Sequence, residues 1–221
     1  MAAAPRKFVG FNEVNTFMGR NLEPKHKLCR QYGMRLCDSP KCPAIKRPYR
    51  PGMHGPKGRQ RISEYGLQLR EKQKARKIYG ILERQFRNYY HKAKQMKGDT
   101  GANLVTLLET RLDNVMYRLK IAKTRSAARQ MVNHGHVLVN QRKNTIPSLH
   151  VSAGDSVQIK TKSITKPLFR DISKSIKVKE LPSWLTFEDI SKLQAKITGT
   201  PSKEELNQGF ETAMIIEFYS R

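Results

Sequence analysis

Four side chains near the amino end have the types and spacing of a metal site: His26-x2-Cys29-x7-Cys37-x4-Cys42. Two closely spaced ligand pairs suit a tetrahedral Zn2+, and thiolates with an imidazole are ligands that this ion takes readily. Pro40 lies inside the second pair and favours the turn that brings Cys37 to Cys42. The three cysteines are an odd number and all lie early, which points to metal ligation before disulfides. The competing expectation is three free thiols beside a surface histidine. Lys25, Lys27 and Arg30 surround the four. A site closed by four protein ligands would therefore fold a small basic knuckle and catalyse nothing.

A second group of capable residues is cationic. Arg125 and Arg129 stand one turn apart behind Thr124, a good N-cap, with Gln130 and His134 on a neighbouring side. A helix N-terminus carries unpaired N–H groups and partial positive charge, and guanidinium forks match phosphate oxygens. Arg111 and Arg118, on the preceding helix, are expected to complete a positive groove.

The composition fits phosphate binding. Among 221 residues, 43 Lys and Arg face 18 Asp and Glu, a net charge of +25 that repels itself unless a polyanion offsets it. Lysines and arginines that neutralise phosphates release condensed counterions, so nucleic acid is the expected partner. The charge is concentrated: residues 41–97 hold 17 basic and three acidic side chains, a net of +14. Residues 180–221 hold four basic and seven acidic ones, and packing is the expected role there.

The elements that must position these residues follow from pattern. Residues 40–61 are rich in Pro, Gly and basic side chains and read as an extended loop. In it Arg47, Tyr49, Arg50, His54 and Lys57 are expected to lie along an RNA backbone; the bland alternative is a solvated linker. Residues 63–97 read as two helices. Leu82, Phe86, Tyr89 or Tyr90, and Ala93 form an apolar stripe, with Arg84, Arg87, His91 and Lys94 opposite. Arg70, Lys74 and Lys77 repeat at similar spacing earlier, and all these cations are expected to face RNA. From about 104 to 160, Leu108, Leu112, Val115 and Leu119 mark a first helix, and Thr124 to Gly135 bounds a second. His136 to Asn140 then reads as a strand, followed by a polar turn, a Pro147-containing edge strand, and Val157 with Ile159 beyond a Gly154 turn. Two helices on a small, mostly antiparallel sheet make a compact α+β unit. No apolar run is long enough to span a bilayer, and the first residues lack a secretory h-region.

The run RLDNVMYRLKIAKTRSAARQMVNHGHVLVN, residues 111–140, resembles the S-four RNA-binding domain, named after the fourth protein of the small ribosomal subunit. The resemblance implies RNA contacts for Arg111, Arg118, Thr124, Arg125, Arg129, Gln130, His134, His136 and Asn140. Gln141 departs from the family's usual Gly. The domain also accompanies pseudouridine synthases, so an RNA-modifying enzyme is the alternative. About 50 residues follow Asp171, too few for a synthase domain, and there is no P-loop, Gly-rich nucleotide fingerprint or nucleophile elbow. The flanks decide: CDSPKC, RPYRPGMHGPKG, LREKQKARKIYGILERQFRNYY, LPSWL and IIEFYSR occur in the order of the bacterial-type S-four ribosomal proteins, from about Met18 onward.

That resemblance implies a non-enzymatic structural constituent of the small ribosomal subunit. It would bind the 5′ region of the ribosomal RNA early in assembly, beside other small-subunit proteins and near the path by which mRNA enters. The location implied is a ribosome of bacterial type, in the cytoplasm, with an organelle ribosome as the alternative. The expected organisation is an extension (1–17), a zinc knuckle (18–42), and a mostly helical domain (43–103 and 175–221) into which the S-four domain (104–174) is inserted. In it Trp184, Leu185, Phe187, Ile215, Ile216 and Phe218 return to the apolar side of the basic helices. Zinc-bearing relatives have a fourth cysteine where His26 stands and a longer intervening segment.

Overall fold

The computed structural model describes residues 23–37, 39–56, 61–170, 172, 181–202 and 209–221. Two short helices come first, α1 (Lys25–Tyr32) and α2 (Pro43–Lys46). α1 closes on Gly33 at φ 68°, a left-handed position that glycine takes without steric cost. Helix α3 (Glu64–Tyr79) begins where the Ser63 hydroxyl accepts the Gly66 N–H and ends on Gly80 at φ 65°. Helix α4 (Glu83–Gln95) buries Phe86, Tyr89, Tyr90 and Ala93 along one side. Leu82, expected in that stripe, is the N-cap residue and stays exposed.

Helix α5 (Thr100–Glu109) is capped by Asp99, whose carboxylate accepts the Gly101 and Ala102 N–H groups. It packs on α4, and its Leu104, Val105 and Leu108 join Ala75, Tyr79, Ile81 and Phe86 in one core. The apolar series from Leu108 to Leu119 therefore spans two helices. Leu108 belongs to the helical body, while Leu112, Val115 and Leu119 belong to a second core with α6 (Leu112–Arg118). The boundary between bodies falls after Glu109, not near residue 103.

The second body pairs α6 with α7 (Arg125–Asn133) over the sheet. Its strands are β1 (Val137–Val139), β2 (Arg142–Asn144), β3 (Ser156–Ile159), β4 (Leu185–Asp189) and β5 (Gln194–Ile197), with short helices α8 (Thr161–Ile164) and α9 (Pro167–Arg170) after β3. The strand order is β2-β1-β3-β5-β4, antiparallel throughout. Asn140 and Gln141 connect β1 to β2 at φ 48° and 64°. Positive φ at both positions is the turn that matches strand twist. Gln141 thus takes the conformation the family's glycine would take, at a cost of about 1–2 kcal/mol.

Two expectations are corrected. The chain around Pro147 is no strand; it folds back so that the Leu149 and Pro147 carbonyls accept the Leu112 and Asp113 N–H groups at 2.8 and 3.1 Å. Those are orphan donors at the start of α6, whose N-cap Arg111 supplies no side-chain acceptor. Nor does the carboxyl-terminal segment return wholly to the helices. Residues 185–197 extend the sheet, and Trp184, Leu185 and Ile197 fill its core, with Phe187 packed against it. Only the later part reaches the helical body, through Phe210 and through α10 (Thr212–Ser220), which packs on α3 and α5 with Ile215 fully buried.

Candidate nucleic-acid interface

The two bodies meet at a buried carboxylate. Glu109, the last residue of α5, is 2% exposed. It accepts hydrogen bonds from the Tyr79 hydroxyl (2.6 Å), Asn114 Nδ2 (2.7 Å), and Arg118 Nε and Nη2 (2.8 Å each). Burial pushes its carboxyl up, but the Arg118 bonds and charge hold it below the usual range. The Tyr79 phenol moves well above its ordinary value through burial and the adjacent carboxylate. Arg111 is 1% exposed, with Nε and Nη2 on Asp113 (3.1 and 2.8 Å) and Nη1 on the Tyr89 hydroxyl. Its place in an RNA groove is withdrawn. A charge buried this deeply must be paired, and this one is. Arg118 is likewise committed to Glu109, with its side chain 23% exposed.

Helix α7 begins as its sequence indicates, with the Thr124 hydroxyl accepting the Ala127 N–H at 3.2 Å. Arg125 is half-buried; its Nε donates to Asn114 Oδ1 at 2.8 Å and its guanidinium stacks over Tyr117 at 4.3 Å. Arg129 lies 3.7 Å from Asp113. Gln130 and His134 are exposed on the outer side. His136 is half-buried, its Nδ1 2.9 Å from the Ser163 hydroxyl and its ring edge-on to Phe169. Burial, then the charges of Lys166, His134 and Lys160, lowers its imidazole from the ordinary value. Asn140 is exposed yet occupied: Nδ2 donates to Asp155 at 2.7 Å and Oδ1 accepts the Ser156 N–H at 2.9 Å. It fastens the β1–β2 turn onto β3.

On the helical body, Arg84, Arg87, His91 and Lys94 are all exposed along α4, opposite its buried aromatics. Arg70, Lys74 and Lys77 differ from them. Arg70 Nη2 donates to the Tyr32 carbonyl at 3.0 Å, Lys74 pairs with Glu71 at 2.8 Å, and Lys77 pairs with Glu23 with its side chain 6% exposed. Helical spacing alone could not show that α1 and acidic neighbours cover this side of α3. In the loop, Arg47, Tyr49, Arg50 and His54 are exposed, and Arg30 stacks on Tyr49 at 5.0 Å while donating to the Tyr49 and Arg50 carbonyls. Lys57 lies outside the described residues. Sequence reasoning passed over Lys92, Lys123, Arg142 and Lys143, which are exposed cations of the same two bodies. Their signal was available in the exposed registers of α4 and of the β2 hairpin arm.

The amino-terminal cysteines converge. Cys29, Cys37 and Cys42 form a small buried cluster with Ala44. The ligand atoms of His26, Cys37 and Cys42 all lie within 4.8 Å of one another, so the group can hold a metal ion. His26 turns Nδ1 to Cys37 Sγ at 3.7 Å, and the Leu36 N–H donates to Cys29 Sγ at 3.3 Å. Burial raises the Cys29 thiol to about 11. Burial also raises the Cys42 thiol, but the Ala44 N–H and the His26, Cys37 and Cys29 side chains bring it down to about 7.

Comparison with known proteins follows the same division. Residues 20–109 match the ribosomal protein S4/S9 N-terminal domain and residues 110–157 match the S4 domain, meeting at the Glu109 seam. Small ribosomal subunit protein uS4 of Heliobacterium modesticaldum is 46% identical over 210 residues, 92% of this chain and all of that protein. The uS4 proteins of Caldicellulosiruptor saccharolyticus and of Thermus thermophilus are each 44% identical with the same coverage. The chain belongs to the uS4 family.

Family membership removes support from the modifying-enzyme alternative, since these relatives are matched along their whole length and bear a ribosomal protein's name. Among the described residues no helix is long and apolar enough to cross a membrane.

Proposed function

We propose that the protein is a structural constituent of the small ribosomal subunit that binds the 5′ region of its RNA and nucleates assembly there. The observation that carries this reading is the division of labour on α4, where Arg84, Arg87, His91 and Lys94 stand in solvent while the opposite face closes the core. Such a row meets phosphates with little rearrangement, and the Glu109 seam holds it in fixed relation to α7. Two rigid cationic surfaces then grip one folded RNA. Of the remaining candidates, Arg47, Tyr49, Arg50, His54 and Lys57 follow the backbone as a strap, and Gln130 and His134 offer hydrogen bonds at the α7 surface. Thr124 and Asn140 position the elements around them.

Zn2+ is the ion this reading assigns to His26, Cys29, Cys37 and Cys42. Buried thiols, an inward-turned imidazole nitrogen and an N–H donor to sulfur suit a closed four-ligand site. The ion would supply folding energy to the knuckle and no chemistry. Neighbouring small-subunit proteins are the further partners, with mRNA at the path by which it enters. The place of action is a bacterial-type ribosome in the cytoplasm.

Filter binding to small-subunit RNA across a salt series tests the proposal. Engagement of ~8 phosphates gives a log–log slope of about −6 to −7. Replacing Arg84 and Arg87 by Ala should shallow the slope by about 2, whereas replacing Lys192 and Lys196 leaves it unchanged. A salt-independent response would overturn it.

A further inference from the structure

A cleft of about 360 Å3 separates the amino-terminal knuckle from the second body. It is lined by α1 with the Leu36–Cys37 turn, by the end of α3, and by the first turns of α7. Its size lies at the lower end of small-ligand sites.

Its chemistry is mixed in a particular way. Four cations, Lys25, Lys77, Arg125 and Arg129, face two acids, Glu23 and Asp113, a net of +2. The acids are already engaged, Glu23 by Lys77 and Asp113 by Arg129. Lys25 spans the cleft, its Nζ donating to Ser126 Oγ at 3.1 Å, so knuckle and α7 touch directly. Arg125 is held in a fixed plane by Asn114 at Nε and by the rings of Tyr117 and Tyr79 at 4.3 and 5.2 Å. Among the described residues its two terminal nitrogens meet no hydrogen-bond acceptor. A pinned fork of free donors is the geometry that binds one phosphate through two oxygens. Beside it, Leu28, Leu36 and Ile78 line the same cleft with apolar surface.

We propose that this cleft is a pocket for a single unstacked nucleotide of an RNA loop, its phosphate on Arg125 and its base against Leu28, Leu36 and Ile78. RNA is read in this manner where bases leave the helix and meet protein surfaces. The knuckle then grips RNA jointly with α7 and does more than add charge. The inference rests on the RNA-binding reading above and adds a defined subsite to it.

Ser126→Phe fills the cleft without altering charge and is compared with wild type for small-subunit RNA affinity, salt slope and base reactivity in the complex. The expected result is a slope shallower by about 1, an affinity roughly tenfold lower, and loss of protection at one base that the wild type shields. Lys25→Met, at an exposed position, should lose the same protection and guards against misfolding of the first variant. Wild-type affinity and an identical footprint in both variants would overturn the pocket while leaving RNA binding intact. Failure of the wild type to bind RNA would instead remove the underlying reading. Equilibrium dialysis against AMP separates the sources of the nucleotide. A footprint without saturable AMP binding supports RNA, whereas saturable AMP binding that Ser126→Phe abolishes, with no footprint, overturns it.

Discussion

Glu109 ties the two bodies of this fold together. It takes four hydrogen bonds from residues of both bodies while nearly excluded from solvent. Removing one partner of a buried ion pair leaves the other charge uncompensated, which typically costs 3–5 kcal/mol. Glu109→Gln keeps the volume and part of the bonding, so a loss of about 3 kcal/mol in urea unfolding is expected. A variant as stable as wild type would show that Arg118 finds water or another acceptor. At this scale the sequence misled in both directions, passing over Lys92, Lys123, Arg142 and Lys143 and over-assigning buried arginines. Arg111 and Arg118 read as phosphate ligands because spacing reports which face a residue occupies, not what opposes it. Asp113, two residues after Arg111, was the available hint. Arg125 was placed at the correct helix start, and Thr124 and Gly135 bound α7 as their chemistry requires.

Among elements, those set by local rules were legible and those set by long-range pairing were not. Ser63, Gly80 and Thr124 mark helix ends within the chain itself, and β1 follows from its alternation, whereas β2 occupies residues read as a polar turn before the Pro147 strand that does not form. Strands β4 and β5 joined the sheet unforeseen, since β5 pairs with β3 across some 40 residues and β4 reaches the sheet only through β5. On the zinc proposal, the knuckle is the element whose existence depends most on a ligand. Helix α1 has eight residues and α2 four, too short to persist in water without tertiary support. Metal analysis should find about one zinc per chain, and Cys37→Ser with Cys42→Ser should abolish it. Limited proteolysis should then cut within residues 25–46 while α3 to α5 resist. Equal resistance in both proteins would mean that apolar packing alone holds the knuckle.

For the molecule as a whole, acid is the condition to which stability responds. His150 and His136 lie below the ordinary imidazole value of 6.5, in both cases through burial and then nearby cations. The unfolded chain therefore takes up these protons first, and their contribution, complete above pH 6.5, declines as the pH falls through the native values. Glu83 and Glu109 follow lower down. Burial raises both, but the Lys72 and Tyr219 bonds to Glu83 and the Arg118 bonds to Glu109 outweigh it. Stability from these carboxylates is present above about 4.5 and is lost on acidification below it. Protonation also adds positive charge to a chain already at +25, increasing self-repulsion. Calorimetry should show Tm falling from pH 7 to pH 5.5 and more steeply below 4.5; a flat profile would contradict the assignment.

The position of α10 bears on how such a chain can be made. Ile215 sits in the same core as Phe86 and Leu104, Tyr219 donates to Glu83 at 2.9 Å, and Gln68 donates to Glu217 at 3.0 Å. These contacts join residues more than a hundred positions apart. During vectorial synthesis α3, α4 and α5 emerge before the sheet body and keep an open apolar side until α10 arrives. The sheet body, whose strands are all translated earlier, can close before them. The helical body, begun before the sheet body, is thus finished after it, and its apolar side is the one left uncovered longest during synthesis.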